Sequence, residues 1–277
     1  MSIAAVALEL LAYGRELEAL GAAQADAGFT RLDAADRLIE SSPNAFLLGV
    51  LFTQGIPAER AWAGPYLLGK RLGTLEPQFL AAHPDDVRAA FQMQPMLHRF
   101  KETLPRWIVS AANRLLQEYR GDASGIWPAG DHVVAVTERL SAFDGIGRKK
   151  AVMAVEILTR HFDVALVGRE CGQVAYDVQV RRVFLRSGLV ERDTREAIES
   201  AARTACPEAP GTLDLPAWLI GRETCRPRSP RCDECRLSSV CPRLTERGAE
   251  GVGARAKGSH RSGYSAERKT SPESSLG

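Results

Sequence analysis

Apolar residues recur every three or four positions through most of the first two hundred residues, which is the spacing of a buried α-helical face. Two such stripes lie close together near the middle of the chain. The first consists of Val133, Val136, Leu140 and Phe143, and the second of Ala151, Val155, Leu158 and Phe162. The pattern predicts two consecutive helices joined by a short turn.

Alternating apolar and polar residues, the pattern of a half-buried strand, are scarce. The best candidate is the segment VALV at 164–167, which is too short and isolated to build a sheet. We therefore predict an all-α protein of about ten helices. Breaks between helices are expected near Ser42–Pro43, Pro57, Pro95 and Pro105.

Length and composition indicate a globular protein of one or two domains. The chain has 277 residues, of which 45% are hydrophobic and 25% charged. No apolar run approaches the roughly 18–20 residues that a membrane-spanning helix needs. The first segment has glutamates within its apolar part and no basic start, so it is a poor secretory signal. We expect a cytoplasmic protein with no membrane partner, associated with the nucleoid if the source is bacterial.

The distribution of charge and cysteine is more informative than the net charge of +2. Between Gly221 and Arg247 there are seven arginines and four acidic residues, and all six cysteines lie in the C-terminal half. Four of the cysteines fall within seventeen residues: Cys225, Cys232, Cys235 and Cys241. In a reducing compartment such a set indicates metal ligands rather than disulfides. The spacing alone leaves zinc and an iron–sulfur cluster open, and Cys171 and Cys206 are expected to be buried, apolar residues.

The turn between the two striped helices is the segment FDGIGRKK, in which Gly145 and Gly147 flank Ile146. Two glycines allow a tight turn, and the unpaired amides that open the next helix form a seat for a phosphate. Arg148 and the two lysines after it are expected to add positive charge at the same place. A helix-hairpin-helix that grips a nucleic-acid backbone is therefore predicted, with an ordinary turn as the alternative.

Lys149 and Asp177 are the candidate chemical groups. Lys149 lies two residues before the apolar stripe that starts at Ala151, so it points about 200° away from that stripe, into a groove. A nucleophilic lysine needs an accessible, unprotonated amine, although most lysines are only solvated surface residues. Asp177 directly precedes a helical pattern, which predicts an N-cap. A capped carboxylate can also stabilise positive charge that develops on a sugar as its base departs.

Three segments in the same order resemble the endonuclease III family of helix-hairpin-helix DNA glycosylases: LSAFDGIGRKKA, AYDVQVRRV and WLIGRETCRPRSPRCDECRLSSVC. The resemblance extends from about Pro43 to Arg243. It implies two lobes with a DNA cleft between them. Residues 36–165 are expected to form a helical barrel with the hairpin, residues 1–35 and 166–243 an iron–sulfur cluster domain, and residues 244–277 a disordered tail.

The resemblance also assigns roles to individual residues. Lys149 takes the position of the catalytic lysine and Asp177 that of the catalytic aspartate, and the four clustered cysteines are expected to hold a [4Fe-4S] cluster. Gln54 is the residue type that fills the gap left by an extruded base. The expected DNA contacts are Gly145, Ile146, Gly147, Arg148, Gln54, Arg226, Arg228 and Arg231, with Arg236 as a further arginine held toward phosphates.

The implied activity is that of a bifunctional glycosylase with lyase activity, acting on double-stranded DNA that contains damaged bases or abasic sites. The segment between Lys149 and Asp177 is about ten residues longer than the familiar bacterial pattern, and Gln179 replaces a histidine. Oxidised pyrimidines are the default substrate, and a monomer is expected. The alternatives are a monofunctional glycosylase of different specificity and a non-catalytic or redox-responsive DNA-binding iron–sulfur protein.

Overall fold

The computed structural model describes residues 2–21 and 29–247, and within them the regular structure is helical. The α-helices are α1 Ile3–Gly21, α2 Asp33–Ser41, α3 Pro43–Phe52, α4 Ala58–Trp62, α5 Gly64–Leu72, α6 Pro77–Ala82, α7 Pro84–Gln92, α8 Thr103–Glu118, α9 Val133–Ser141, α10 Arg148–Arg160, α11 Val178–Arg186, α12 Arg195–Ala205 and α13 Asp214–Glu223. Short 3₁₀ turns cover Ala123–Ile126, Arg169–Cys171, Pro210–Leu213 and Cys232–Glu234. The all-α prediction is confirmed, with more helices than the ten expected.

The segment 164–167 forms one isolated bridge, between Val167 and His132, and no strand occurs within the described ranges. In the same residues no helix is long and apolar enough to cross a membrane.

The proline breaks follow from local hydrogen bonding. Ser42 ends α2 and caps α3, since its hydroxyl accepts a hydrogen bond from the amide of Ala45 at 3.2 Å. Pro57 precedes α4, and Pro95 lies between α7 and α8. The break expected at Pro105 is displaced, because this proline lies in the first turn of α8, where amides have no partner within the helix.

The buried side chains form two hydrophobic clusters. The first is built from α2 to α10 and runs from Ile39 to Leu166. The predicted stripes of α9 and α10 both contribute to it, apart from Phe162, which packs on its edge. The second cluster joins Val6, Leu10 and Leu11 of α1 to residues 174–237 of the C-terminal region. Helix α1 therefore packs against the region 174–237, although the two are far apart in sequence.

The division into two domains stays a prediction, and two contacts differ from its proposed boundaries. Phe29, assigned to the cluster domain, packs against the first cluster. Leu244, assigned to the tail, donates its amide to the Arg186 carbonyl at 2.9 Å, and the chain is hydrogen-bonded as far as Arg247. The rest of the predicted tail, residues 248–277, lies outside the described residues.

Candidate functional site

The turn between α9 and α10 has the geometry that its two glycines require. Gly145 has a φ of +81°, and a Cβ on it would lie 2.4 Å from the Trp107 ring. Ile146 is buried in the first cluster, and its amide donates to the Phe143 carbonyl at 3.0 Å. The turn is therefore tight, anchored by Ile146 and closed against Trp107, so that only glycine fits at position 145.

Backbone donors remain open at the start of α10. Gly147 is the N-cap, and no side chain caps this helix end. Within the described residues, the amides of Gly147, Arg148 and Lys149 have no acceptor. The Arg148 guanidinium contacts the Glu199 carboxylate at 3.7 Å. The helix dipole and the three amides favour an anion such as a phosphate at this end of α10.

Lys149 and Asp177 are in contact, although Lys149 lies on α10, which packs in the first cluster, and Asp177 caps α11, which packs in the second. Lys149 Nζ forms an ion pair with Asp177 Oδ2, although the two residues are 28 positions apart. The lysine side chain is 51% exposed, whereas the aspartate side chain is only 10% exposed. The other oxygen, Asp177 Oδ1, accepts the Gln179 amide at 2.8 Å and caps α11. The carboxylate is thus fixed by its cap while the amine stays accessible to solvent, and both lie where the first cluster meets the second.

A buried acidic group lies behind Asp177. Asp214, at the start of α13, accepts the Ala175 amide at 2.6 Å, and the Ala175 carbonyl accepts the Asp177 amide at 2.6 Å. Burial raises the pKa of Asp214 to about 6, which the Ala175 amide and Arg160 partly oppose. Burial, with the nearby Asp214 carboxylate, raises the pKa of Glu156 to about 8. Asp214 therefore orients the backbone that carries Asp177, and Glu156 is protonated at neutral pH.

Lys150 does not add to the surface charge, contrary to expectation. Its Nζ is directed into the first cluster and donates to the Leu51 carbonyl at 2.9 Å, and the residue is only 8% exposed. Burial, together with the charge of Lys149, lowers its pKa to about 8. Lys150 lies four and seven residues before the buried Ala154 and Ile157, and this spacing was the signal in the sequence for its burial.

Gln54 lies just past the end of α3, in a turn completed by Gly55 at a φ of +70°. Its amide donates to the Phe52 carbonyl at 2.7 Å. Arg99 Nη1 donates to the Gly55 carbonyl at 3.4 Å, which ties the turn to the segment before α8. The backbone of this turn is therefore held at several points, while the Gln54 side chain has no hydrogen-bond partner in the described chain.

The four clustered cysteines line one cavity with about 330 Å³ of empty space, part of it open to solvent. Burial raises the pKa of the Cys225 and Cys241 thiols, so a bound cation is needed to hold them as thiolates. The Arg243 amide donates to Cys241 Sγ at 3.3 Å, a type of contact that tunes iron–sulfur ligands. The donor set and its cavity fit a metal centre.

The spacing of the four sulfurs can be compared with the geometry of a zinc site. Among the described residues, no three of these cysteine sulfurs lie within 4.8 Å of one another. A tetrahedral zinc ion with Zn–S bonds of about 2.3 Å needs sulfurs about 3.8 Å apart. The four sulfurs are therefore farther apart than the ligands of a single tetrahedral ion.

Two buried arginines of α11 hold the cysteine loop, and sequence reasoning missed both. Arg182 donates to the Cys225 carbonyl at 2.6 Å, and Arg186 donates to the Arg226 and Pro227 carbonyls at 2.7 and 3.0 Å. They lie four residues apart and so share one helix face. That face adjoins the apolar stripe of α11, and this position in the sequence pattern was the available signal that both arginines are buried.

Among the arginines of the cysteine loop, the three predicted DNA contacts are exposed. Arg226 donates to the Glu223 carbonyl at 3.1 Å, and Arg231 contacts that carbonyl at 2.8 Å and the Glu234 carboxylate at 2.7 Å. Arg228 has no ion pair or hydrogen bond to residues 2–21 and 29–247. The loop therefore presents positive charge to solvent, and Arg228 has the fewest contacts of the three arginines.

Arg236 is also exposed but has ion-pair partners on α1, and its expected phosphate contact stays a prediction. It forms ion pairs with Glu9, at 3.0 Å, and with Glu16, both on α1, and it stacks on Tyr13. These contacts occupy its guanidinium, so Arg236 joins the loop to α1.

Gln179, which replaces a histidine of the family pattern, has a defined position two residues after Asp177. Gln179 accepts a hydrogen bond from Arg182 and packs against Gly221 of α13, so its side chain contacts the support of the cysteine loop. Cys171 is exposed, contrary to expectation, whereas Cys206 is buried as predicted. Cys171 lies near His132 and Glu170, and the three side chains could together offer ligand atoms to a metal ion. However, His132 Nδ1 accepts the Val134 amide, and in the neutral ring Nε2 then carries the proton, so neither nitrogen offers a free lone pair to a metal.

Comparisons with known proteins agree with this geometry. No family model matches the sequence. The chain is 29% identical over 174 residues to endonuclease III of Thermotoga maritima, an alignment covering 62% of this chain and 70% of that protein. It is 24% identical over 181 residues to endonuclease III of Synechocystis sp., covering 62% and 74%. A solved structure of a trapped endonuclease III–DNA covalent intermediate matches with a TM-score of 0.55 at 19% identity, over 78% of this chain and 94% of that one, and shows a shared fold.

Proposed function

We propose that this chain, a divergent relative of the endonuclease III family of helix-hairpin-helix DNA glycosylases, excises a damaged base from duplex DNA and cleaves the strand at the resulting abasic site. The observation that carries the proposal is the contact between an accessible lysine amine and a fixed carboxylate, beside open hairpin amides. An amine nucleophile, an acceptor for its proton and a phosphate seat are the parts that this reaction needs.

In the proposed reaction, the target nucleotide is extruded from the duplex and Lys149 attacks C1′ of its sugar. The bond between C1′ and the lysine nitrogen forms, the glycosidic bond breaks, and the departing base takes the electron pair together with a proton from the Asp177 carboxyl group. Asp177 accepts the proton that the lysine ammonium must lose before it attacks. As Asp177 returns this proton to the departing base, its carboxylate becomes negative again and stabilises the positive charge that develops on the sugar.

Strand cleavage follows from the covalent intermediate. A second proton passes from the lysine nitrogen to O4′, which opens the sugar and leaves a Schiff base. Removal of a C2′ proton then expels the 3′ phosphate by β-elimination, and water releases Lys149. Oxidised pyrimidines are the proposed substrate class because the family resemblance favours them, and a cytoplasmic monomer is the proposed form.

The cysteine loop is proposed to hold a [4Fe-4S] cluster on Cys225, Cys232, Cys235 and Cys241. The cluster would supply a structural anchor that holds the exposed arginines near phosphates, and base removal needs none of its electrons. The open sulfur spacing favours it over zinc, and Arg182 and Arg186 hold the backbone of the loop that carries the ligands. Iron and acid-labile sulfide in equal amounts in the purified protein are expected, whereas zinc in a 1:1 ratio would contradict this assignment.

The lyase is tested by incubating the protein with duplex DNA that contains an abasic site and adding borohydride. We expect a covalent adduct that Lys149→Ala abolishes and that the exposed-lysine control Lys70→Ala keeps. Base release without strand cleavage or adduct would instead indicate a monofunctional glycosylase. DNA binding without either reaction would indicate the non-catalytic alternative. A panel of duplexes, each with a different damaged base, identifies the substrate.

A further inference from the structure

The last carbonyls of α3 lie directly before Gln54, and each has a defined partner. The Val50 carbonyl accepts the Thr53 hydroxyl at 2.7 Å, and the Phe52 carbonyl accepts His98 Nε2 at 3.2 Å. Between them, the Leu51 carbonyl accepts Lys150 Nζ at 2.9 Å. Carbonyls at a helix end have no partner within the helix, so their contacts decide where the following turn starts. The contact to Leu51 comes from α10, 99 residues along the chain.

The protonation of His98 follows from its contacts. Its Nδ1 accepts the Phe100 amide at 3.1 Å, so Nε2 carries the proton that is donated to Phe52. Burial, together with the charge of Lys150, lowers the pKa of His98 and keeps the ring neutral. His98 thus contributes a hydrogen bond without charge, whereas a protonated Lys150 places a cation at the negative end of the α3 dipole.

Lys150 is also connected to the hairpin. Its Nζ lies 5.7 Å from the centre of the Trp107 ring, and the same ring closes on Gly145. A continuous set of contacts therefore runs from the hairpin glycine through Trp107 and Lys150 to Leu51, at the end of α3. Burying an amine costs free energy, which lowers its pKa, and the hydrogen bond and the helix end offset part of that cost.

We propose that Lys150 is a positioning residue that fixes the end of α3, and with it the reach of Gln54 into the gap left by an extruded base. The inference rests on the proposed function, because it assumes that Gln54 enters duplex DNA. Two adjacent lysines then have separate roles. The Lys149 side chain is exposed and faces the substrate, whereas the Lys150 side chain is buried and holds the helix end that precedes Gln54.

The test compares two abasic substrates, a duplex and a single strand. In the duplex Gln54 can fill the gap opposite the orphaned base, whereas a single strand has no gap to fill. We expect Lys150→Met to lower the rate of borohydride-trapped adduct formation about tenfold on the duplex, the effect of losing one charged hydrogen bond. On the single strand the rate should be unchanged, because Lys149 itself is intact.

A double-mutant comparison shows whether Lys150 acts through Gln54. The duplex rate of Lys150→Met combined with Gln54→Ala should equal that of Gln54→Ala alone. If the methionine variant does not fold, Lys150→Gln, which keeps a donor but no charge, is compared on the same two substrates. Equal losses on both substrates, or additive losses in the double variant, would overturn the proposal. No adduct with wild-type protein on either substrate would overturn the proposed function, and the role of Lys150 with it.

Discussion

Asp177 combines a structural role with a chemical one, and two substitutions separate them. Asp177→Asn keeps an oxygen that accepts the Gln179 amide, so α11 stays capped. Asp177→Ala removes both the cap and the charge. Asparagine and aspartate are about equally good N-caps, whereas alanine costs about 1 kcal/mol. The ion pair with Lys149 adds little to stability, because the lysine is half exposed and its charge is screened.

The expected magnitudes therefore differ between folding and activity. The free energy of unfolding should stay within about 0.5 kcal/mol of wild type in Asp177→Asn and fall by about 1 kcal/mol in Asp177→Ala. Base release should fall about 100-fold or more in both variants, because both lose the group that accepts the lysine proton. Such a decrease corresponds to at least about 2.7 kcal/mol in the activation barrier.

Urea unfolding and single-turnover base release on the same preparations measure the two effects. Affinity for an uncleavable abasic analogue should change little in Asp177→Asn, which shows that the cleft still binds DNA. Wild-type activity in Asp177→Asn would refute the chemical role of the carboxylate. An equal loss of stability in both variants would refute its role as a cap.

Three further predictions concern the surroundings of the site. Asp214→Ala should lower turnover while leaving the affinity for an abasic analogue unchanged, because it removes the acceptor of the Ala175 amide and loosens the backbone before Asp177; parallel kinetic and binding titrations measure both. Because the folded-state pKa of Glu156 is raised from 4.5 to about 8, its favourable contribution is complete below pH 4.5 and is lost as pH rises toward 8. Glu156→Gln should therefore gain stability relative to wild type across that window in urea titrations, and a constant difference would contradict the burial argument. Arg228→Ala should reduce the slope of log DNA affinity against log salt concentration by about one. Arg236→Ala should change this slope less, because Arg236 is already paired with two glutamates of α1.

The helical class and the hairpin could be predicted because they depend on local patterns. Two apolar stripes and the glycines at 145 and 147 indicate helices and a turn whatever the rest of the chain does. The cap at Asp177 was predictable for the same reason. The contact between Lys149 and Asp177 depends on how the two hydrophobic clusters meet, and the sequence carried it only through a family resemblance.

The structure differs from expectation in the surroundings of two cationic residues. Lys150 was expected beside Lys149 at the surface, but one step along a helix rotates the side chain by about 100°, enough to bury it. Arg236 was expected to face phosphates, but α1 brings two glutamates to it from the far end of the chain. Helical spacing could have indicated that Lys150 is buried, but it does not identify Leu51 as the partner of Lys150 or the glutamates of α1 as the partners of Arg236.

The central claim, that Lys149 is the nucleophile, is tested most directly by locating the trapped adduct. Wild-type protein is reduced with borohydride on an abasic duplex, digested, and analysed by mass spectrometry. The modification should lie on Lys149, since its amine is exposed beside Asp177 while that of Lys150 is bound to the Leu51 carbonyl. An adduct on Lys150 or on any other amine, with Lys149 unmodified, would contradict the account.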